Sequence, residues 1–207
     1  MLQPDRNHPT RRRALWLAIP AMGAAGVLWW QQRRIDPVTL LPASTSGDEF
    51  PIVEFSAAGA RLSVTQVHKV VRSEDDWFAR MTPQQYYVTR RHQTDPPFTG
   101  TYHLMHEDGL FRCIGCDTAL FSSKSKFDSG TGWPSFWEPI AIENVRTEEA
   151  PGLSRQAALD NGLEVLCKRC DAHLGHIFND GPAPTHLRYC INESALHFVA
   201  AQKGTPG

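Results

Sequence analysis

The chain has 207 residues, 41% of them hydrophobic and 21% charged, with a formal net charge of −1. This composition suits one globular domain with additional sequence at an end. The charge excludes a general electrostatic attraction to polyanions, so we expect no nucleic-acid partner. The five cysteines are an odd number, and a framework made only of disulfides would leave one of them over.

The first 34 residues differ in character from the rest of the chain. Three arginines, Arg11 to Arg13, precede an apolar run from Ala14 to Trp30. A twin arginine before an apolar stretch resembles a bacterial Tat export signal. The run has 17 residues, the short limit for a membrane span. No convincing small-x-small cleavage site follows it, and its two terminal tryptophans suit an interface anchor.

We therefore expect residues 1–34 to be a Tat-like signal or membrane anchor, with an uncleaved anchor slightly favoured. A buried core helix is the weaker alternative, because arginines precede the run and nothing amphipathic shows within it. These features predict export by a Tat-like route to the bacterial periplasm, with residues 14–30 anchoring the protein to the inner membrane.

The next segment is rich in Pro, Ser, Ala and Gly, and we interpret residues 35–70 as a linker to a domain over residues 71–203. Ser73, followed by three acids and apolar residues, predicts the start of a helix. Thr82 before Pro83 predicts the start of a second helix.

Short strand-like segments, broken by glycine and proline, follow Gly109. They predict a mainly β domain with helices at its front. The segments are residues 110–112, 119–122, 163–166, 187–191 and 196–199.

Four cysteines form two C-x-x-C pairs, Cys113 with Cys116 and Cys167 with Cys170. Two thiolates two residues apart can occupy two corners of a zinc tetrahedron from one tight turn. Together the pairs predict one structural zinc ion per chain, held by four thiolates. Two local disulfides or a redox dithiol are the competing interpretation, which the matched flanks of the pairs disfavour.

The fifth cysteine, Cys190, lies in a segment whose residues alternate between polar and apolar character. A nearby arginine favours the thiolate, which is the nucleophilic form of cysteine. The alternation thus favours a reactive thiol over a buried, inert cysteine. It predicts a strand with Leu187, Tyr189 and Ile191 on one face and Arg188, Cys190 and Asn192 on the other.

A histidine-containing segment, residues 171–182, could contribute to a site around Cys190. His173 and His176 suit proton donors, because imidazole titrates near neutral pH. The same segment supplies Phe178 and Asp180. The alternative is that the two histidines only pack or lie on the surface.

A glycine-rich loop, residues 127–137, is the second such segment. Its glycines and proline suggest a shaped loop that could present Trp133 and Phe136 as an apolar wall. Taken alone, this cluster of aromatic residues is more typical of a core.

Three motifs occur in order along the chain: FDSGTGWPSF (127–136), HLGHIFNDGP (173–182) and RYCIN (188–192). With the interleaved cysteine pairs, they resemble the type B methionine-R-sulfoxide reductases. The resemblance covers roughly residues 73–200 and includes VTRRHQTDPPFTG (88–100) and HEDGLFRC (106–113).

The resemblance implies a β-tent-like fold of two antiparallel sheets, with a zinc ion far from the chemistry. The substrate would be a methionine R-sulfoxide, free or in an oxidised protein. Cys190, kept as thiolate by Arg188, would attack the sulfur and become a sulfenic acid. Asn192 would line the same face of the strand.

The resemblance also assigns roles around the substrate. Trp133, with help from Phe178, would hold the methyl group, and the ring face would favour the sulfur as it becomes positive. His173 and His176, held by Asp180 and waters, would donate a proton to the sulfoxide oxygen.

Two residues depart from the family pattern. Many members carry a resolving cysteine where this chain has Thr131. With four cysteines on zinc, we expect an external small thiol or thioredoxin-like reductant to reduce the Cys190 sulfenic acid. Glu193 stands where a serine commonly follows the asparagine, and we expect it to point away from Cys190 with a modest effect.

Two other functions compete with a sulfoxide reductase. A non-catalytic zinc-ribbon binding module would need neither a polar-face cysteine nor Trp133 and His176. A disulfide oxidoreductase would use the C-x-x-C pairs, and one zinc per chain that resists mild oxidants would exclude it.

Overall fold

A computed structural model of the protein describes residues 44–148, 152 and 154–201, with side chains described from residue 47. The predicted Tat-like signal and anchor, residues 1–34, lie outside this part of the chain. Within the described residues, no helix combines the length and the apolar character needed to cross a membrane.

A β-hairpin occupies most of the segment that the composition predicts to be a linker. Strand β1 (Ser44–Phe55) pairs antiparallel with strand β2 (Arg61–Val71). The linker prediction is therefore wrong over these residues. The hairpin is held because Ile52 and Val53 are buried and because the Asn144 amide bonds both the N–H and the C=O of Val53 at 2.8 Å.

The two predicted helices are confirmed. Helix α1 (Glu74–Arg80) begins after Ser73, whose hydroxyl accepts from the Asp76 N–H, and it buries Trp77. Helix α2 (Pro83–Arg91) begins after Thr82, which forms a capping box with Gln85. The left-handed conformation of His92 ends α2 and turns the chain toward the large sheet.

The remaining strands confirm the predicted mainly β architecture of antiparallel sheets. One sheet has six strands in the order β5-β6-β10-β9-β8-β7, and another has three in the order β11-β3-β4. Helix α3 (Arg155–Asn161) precedes β8. The strands are β3 (Gly109–Cys113), β4 (Ala119–Ser122), β5 (Lys126–Phe127), β6 (Ser135–Phe136), β7 (Val145–Glu148), β8 (Leu163–Cys167), β9 (His173–Phe178), β10 (Arg188–Ile191) and β11 (Leu196–Ala200).

Aromatic side chains fill the core between these two sheets. Phe121 of β4 stacks on Phe136 of β6 with ring centroids 4.5 Å apart, and Tyr189 of β10 lies 5.7 Å from Phe121. Tyr189 and Ile191 are both buried. Since alternate residues of a strand face opposite sides, this packing directs Cys190 to the other face of the sheet.

Candidate active site and metal centre

One row of residues crosses four neighbouring strands of the six-stranded sheet. Glu164 on β8 is in register with His176 on β9, and His176 is in register with Cys190 on β10. Cys190 is in turn opposite Ser135 on β6. Directly opposite residues share a face and have Cβ atoms about 5 Å apart, so the register alone places a carboxylate, an imidazole, a thiol and a hydroxyl in line.

A β-bulge adds a second histidine to this face. Residues three apart in a regular strand point to opposite sides, but the β8–β9 register shifts so that Leu166 opposes His173 while Val165 opposes Gly175. The His173 and His176 rings then lie 5.4 Å apart. Gly175 is required here, since a Cβ atom would lie 2.1 Å from the Cys190 carbonyl oxygen.

A cavity of about 140 Å³ opens over the row. The structure thus brings together five of the residues predicted for the site and leaves His173, Asp180 and Arg188 outside the cavity wall. The wall combines aromatic rings with a thiol and an imidazole, which suits a small apolar group bearing one polar atom. It is formed by Thr94, Trp133, Gly175, His176, Phe178, Cys190 and Asn192.

Arg188 has a weaker effect on Cys190 than the sequence suggests. Burial raises the pKa of the Cys190 thiol, and Arg188 and the Thr131 hydroxyl only partly oppose that shift. Arg188 thus acts on Cys190 in the expected direction, towards the thiolate, but burial opposes it and the thiol pKa lies above its ordinary value in the protein without substrate. Asp180 neutralises the guanidinium through two bonds of 2.8 and 2.9 Å, and the Phe178 ring lies 4.3 Å from it.

Glu164, rather than Asp180, holds His173. The Glu164 carboxylate binds His173 Nδ1 at 2.6 Å, whereas the side-chain bonds of Asp180 go to Arg188. The predicted Asp180–histidine contact is therefore wrong. Burial lowers the pKa of both His173 and His176, and Glu164 opposes this shift. The only sequence signal for Glu164 was an acid within the otherwise apolar LEVLC segment.

Asn192 and Asp95 orient the tryptophan. The Trp133 indole N–H donates to the Asp95 carbonyl at 2.9 Å. Asn192 is buried, and its amide accepts from the Asp95 N–H and donates to the Leu174 carbonyl. The Asp95 carboxylate accepts from the N–H and hydroxyl of Ser194. Asp95, which sequence reasoning missed, therefore connects Trp133 to Asn192 and Ser194, which follow the strand that carries Cys190.

Thr131 lies beside the thiol, where it ends a chain of hydroxyls. Its Oγ1 is 4.0 Å from the Cys190 sulfur, and the Ser129 hydroxyl connects it to Ser135 by contacts of 2.8 and 2.7 Å. Glu193 is turned to another loop, where its carboxylate accepts from the backbone N–H groups of Thr101 and Tyr102.

The four paired cysteines form one buried cluster. Cys113 and Cys170 have sulfurs 3.5 Å apart, as do Cys116 and Cys167, and all four sulfurs lie within 4.8 Å of one another. A tetrahedral zinc site with Zn–S bonds of about 2.3 Å separates its sulfurs by about 3.8 Å, so the donor set fits. Contacts among the thiols raise the pKa of Cys113 and Cys170 and lower that of Cys116.

A family model described as a SelR domain matches residues 81–200, which include every residue of the cavity wall and the cysteine cluster. The chain belongs to this family. A relative from Thioalkalivibrio sulfidiphilus, named peptide methionine sulfoxide reductase MsrB, is 52% identical over 126 residues, covering 60% of this chain and 87% of its own. A relative of the same name from Methanosarcina barkeri is 45% identical over 138 residues, covering 67% and 94%.

The Arabidopsis thaliana chloroplastic peptide methionine sulfoxide reductase B1 is also similar, at 48% identity over 131 residues, 63% of this chain and 62% of its own. This membership in the type B methionine sulfoxide reductases confirms the predicted family and enzyme class. It disfavours a non-catalytic binding module. The SelR match begins after the β1–β2 hairpin and α1.

Proposed function

We propose that this SelR protein reduces methionine R-sulfoxide, free or in an oxidised protein, through nucleophilic attack by Cys190. The observation that carries the proposal is the cavity in which the thiol and His176 meet Trp133 and Phe178. The two rings offer an apolar surface for the methyl group of the substrate. A ring face also attracts the sulfur as it gains positive charge.

The resting site holds the one proton that the reaction needs. Burial raises the pKa of Cys190 and lowers that of His176, so the free pair is a thiol beside a neutral imidazole. His176 takes the thiol proton and passes it to the sulfoxide oxygen. The Cys190 sulfur attacks the substrate sulfur, the S–O bond of the substrate breaks, and the hydroxyl moves to Cys190. Thiol plus sulfoxide thus give sulfenic acid plus thioether, with atoms and electrons in balance.

An external thiol completes the cycle. Thr131 stands next to Cys190 where a resolving cysteine would lie, and the other four cysteines form the buried cluster. A small thiol or thioredoxin-like reductant attacks the sulfenic acid and releases water, and a second thiol restores Cys190. Peptide mapping of the enzyme after one equivalent of sulfoxide should find no intramolecular Cys190 disulfide, and finding one would overturn this step.

The test of the function uses the full chain with separate R and S epimers of a blocked methionine sulfoxide and dithiothreitol as reductant. We expect turnover of the R epimer alone and its loss in Cys190→Ser. Cys190→Ser that retains activity, or wild type that reduces only the S epimer, would contradict the proposal.

The cluster of Cys113, Cys116, Cys167 and Cys170 would hold one structural zinc ion. The all-sulfur, buried donor set supports this choice, because closed four-thiolate sites are typical of structural zinc. These residues would fix two loops without taking part in the proton transfer.

The N-terminal segment would direct the folded enzyme to the periplasm and anchor it to the inner membrane through residues 14–30. The twin arginine and the apolar run support this. Folding before export would let zinc load in the reducing cytoplasm. Replacing Arg11, Arg12 and Arg13 by lysine should retain the enzyme inside the cell, and unchanged export would contradict the route.

A further inference from the structure

Glu164 connects a surface histidine with a buried one. A single oxygen, Oε1, lies 2.6 Å from His92 Nδ1 and 2.6 Å from His173 Nδ1. The three side chains are progressively more buried, with exposed fractions of 53% for His92, 22% for Glu164 and 2% for His173. His92 comes from the end of α2, so this group joins the helical layer to the sheet.

The acceptor character of the carboxylate settles the histidine tautomers. An ionised carboxylate only accepts, so both Nδ1 atoms carry protons that they donate to Glu164. Burial acts to raise the pKa of Glu164, but the bonds from His173 and His92 outweigh it and lower that pKa, which keeps the group ionised. Neutral His173 then has an unprotonated Nε2, which is buried and has no hydrogen-bond partner among the described residues.

The ionisable groups around His176 come from three strands and a helix end. Glu164 faces it from β8, Cys190 from β10 and His173 from its own strand, while His92 lies behind Glu164. With Cys190 as a thiol, Glu164 is the one negative charge in this set. Any imidazolium that forms at His176 is therefore stabilised by Glu164 and opposed by protonation of His173.

We propose that Glu164, assisted by His92, is a positioning residue that fixes the His173 tautomer and keeps His176 able to accept the Cys190 proton. This inference rests on the proposed sulfoxide reduction. When His176 takes the proton, a carboxylate already faces the new positive charge in a half-buried site, where such an interaction is stronger than in water. His173, kept neutral by its burial, does not repel the imidazolium.

The test compares Glu164→Gln with Glu148→Gln, which removes the same charge from an exposed position directly opposite on β7. In Glu164→Gln, we expect the His176 titration, followed by imidazole NMR in the zinc-loaded reduced protein, to move to lower pH. The single-turnover rate of Cys190 oxidation by the R-sulfoxide should fall about tenfold or more, because a weaker base transfers the proton less well. KM should change little, since Glu164 does not line the cavity.

His92→Ala is a second test, which changes an exposed side chain instead of a half-buried one. It should shift the His176 titration much less than Glu164→Gln does, because Glu164 keeps its negative charge, and it should leave the thermal unfolding midpoint close to wild type. An unchanged His176 titration in Glu164→Gln, or a rate equal to that of Glu148→Gln, would overturn the proposal. If wild type fails to reduce sulfoxide, the proposed function is lost, whereas the NMR titration still decides the positioning role.

Discussion

At the scale of single residues, burial and charge act on Cys190 in opposite directions, and burial is the stronger. The guanidinium of Arg188 lowers the thiol pKa but is itself paired with Asp180 and packed on Phe178. Arg188 therefore limits the rise in the Cys190 pKa that desolvation causes. Its contribution should grow in the transition state, where the sulfur carries more negative charge.

Replacing Arg188 by methionine should raise the pKa of Cys190 further, since the opposing cation is lost and Asp180 is left uncompensated. Alkylation by iodoacetamide at pH 8 should slow by about tenfold, the change in thiolate fraction that one pKa unit gives. Arg61→Met, at an exposed position of β2, is the control. Equal alkylation rates in the two variants would show that Arg188 does not act on the thiol.

The pH dependence of kcat/KM follows from the two shifted groups. The active pair is a thiol and a neutral imidazole. The rate therefore falls when His176 is protonated and can no longer accept the thiol proton. It also falls when Cys190 is deprotonated, because the pair then holds no proton for the sulfoxide oxygen. Because the pKa of His176 is lowered and that of Cys190 is raised, the plateau should extend beyond the ordinary interval of about 6.5 to 8.5 on both sides. A narrow bell within that interval would contradict the assignment.

At the scale of elements, the β1–β2 hairpin supports the second cysteine pair. The Val70 N–H donates to the Arg169 carbonyl at 2.8 Å, and the Lys69 ammonium donates to the Lys168 carbonyl at 2.7 Å. Asn144 fixes the other strand and also donates to the Ala119 carbonyl. An element that precedes the SelR match thus holds the turn between Cys167 and Cys170.

Asn144→Ala should therefore destabilise the protein, since it leaves the Val53 N–H and two buried carbonyl groups without their partner. We expect a loss of about 2–4 kcal/mol in the free energy of unfolding, measured by urea denaturation of the zinc-loaded protein. Asn161→Ala, at an exposed position in α3, should cost much less. A similar loss in both variants would mean that Asn144 does not hold the hairpin.

At the scale of the whole molecule, two features join the two larger sheets. One is the aromatic cluster around Phe121 and Phe136. The other is the cysteine cluster, which takes one pair from the β3–β4 turn and one from the β8–β9 turn. Metal binding at the second would cross-link the sheets at one end, while the active-site cavity lies on the outer face of β9 and β10.

Removal of the metal with a strong chelator should therefore lower the thermal unfolding midpoint, by about 10 °C or more, because several kcal/mol of binding free energy are lost. Elemental analysis should find one zinc per chain before treatment. Cys190→Ser should keep both the zinc and the midpoint. An unchanged midpoint after metal loss would show that the cluster does not stabilise the fold.

The sequence by itself determined the division of the five cysteines, the two helix starts and the alternation that sets Cys190 apart from Tyr189 and Ile191. These are local patterns, because the spacing of residues along the chain determines where each lies on a turn or on a strand face. Only the tertiary structure decided that Glu164 holds His173 and that Asp180 pairs with Arg188. Those partners depend on strand register and on a bulge at Gly175, and no local pattern encodes the register between strands.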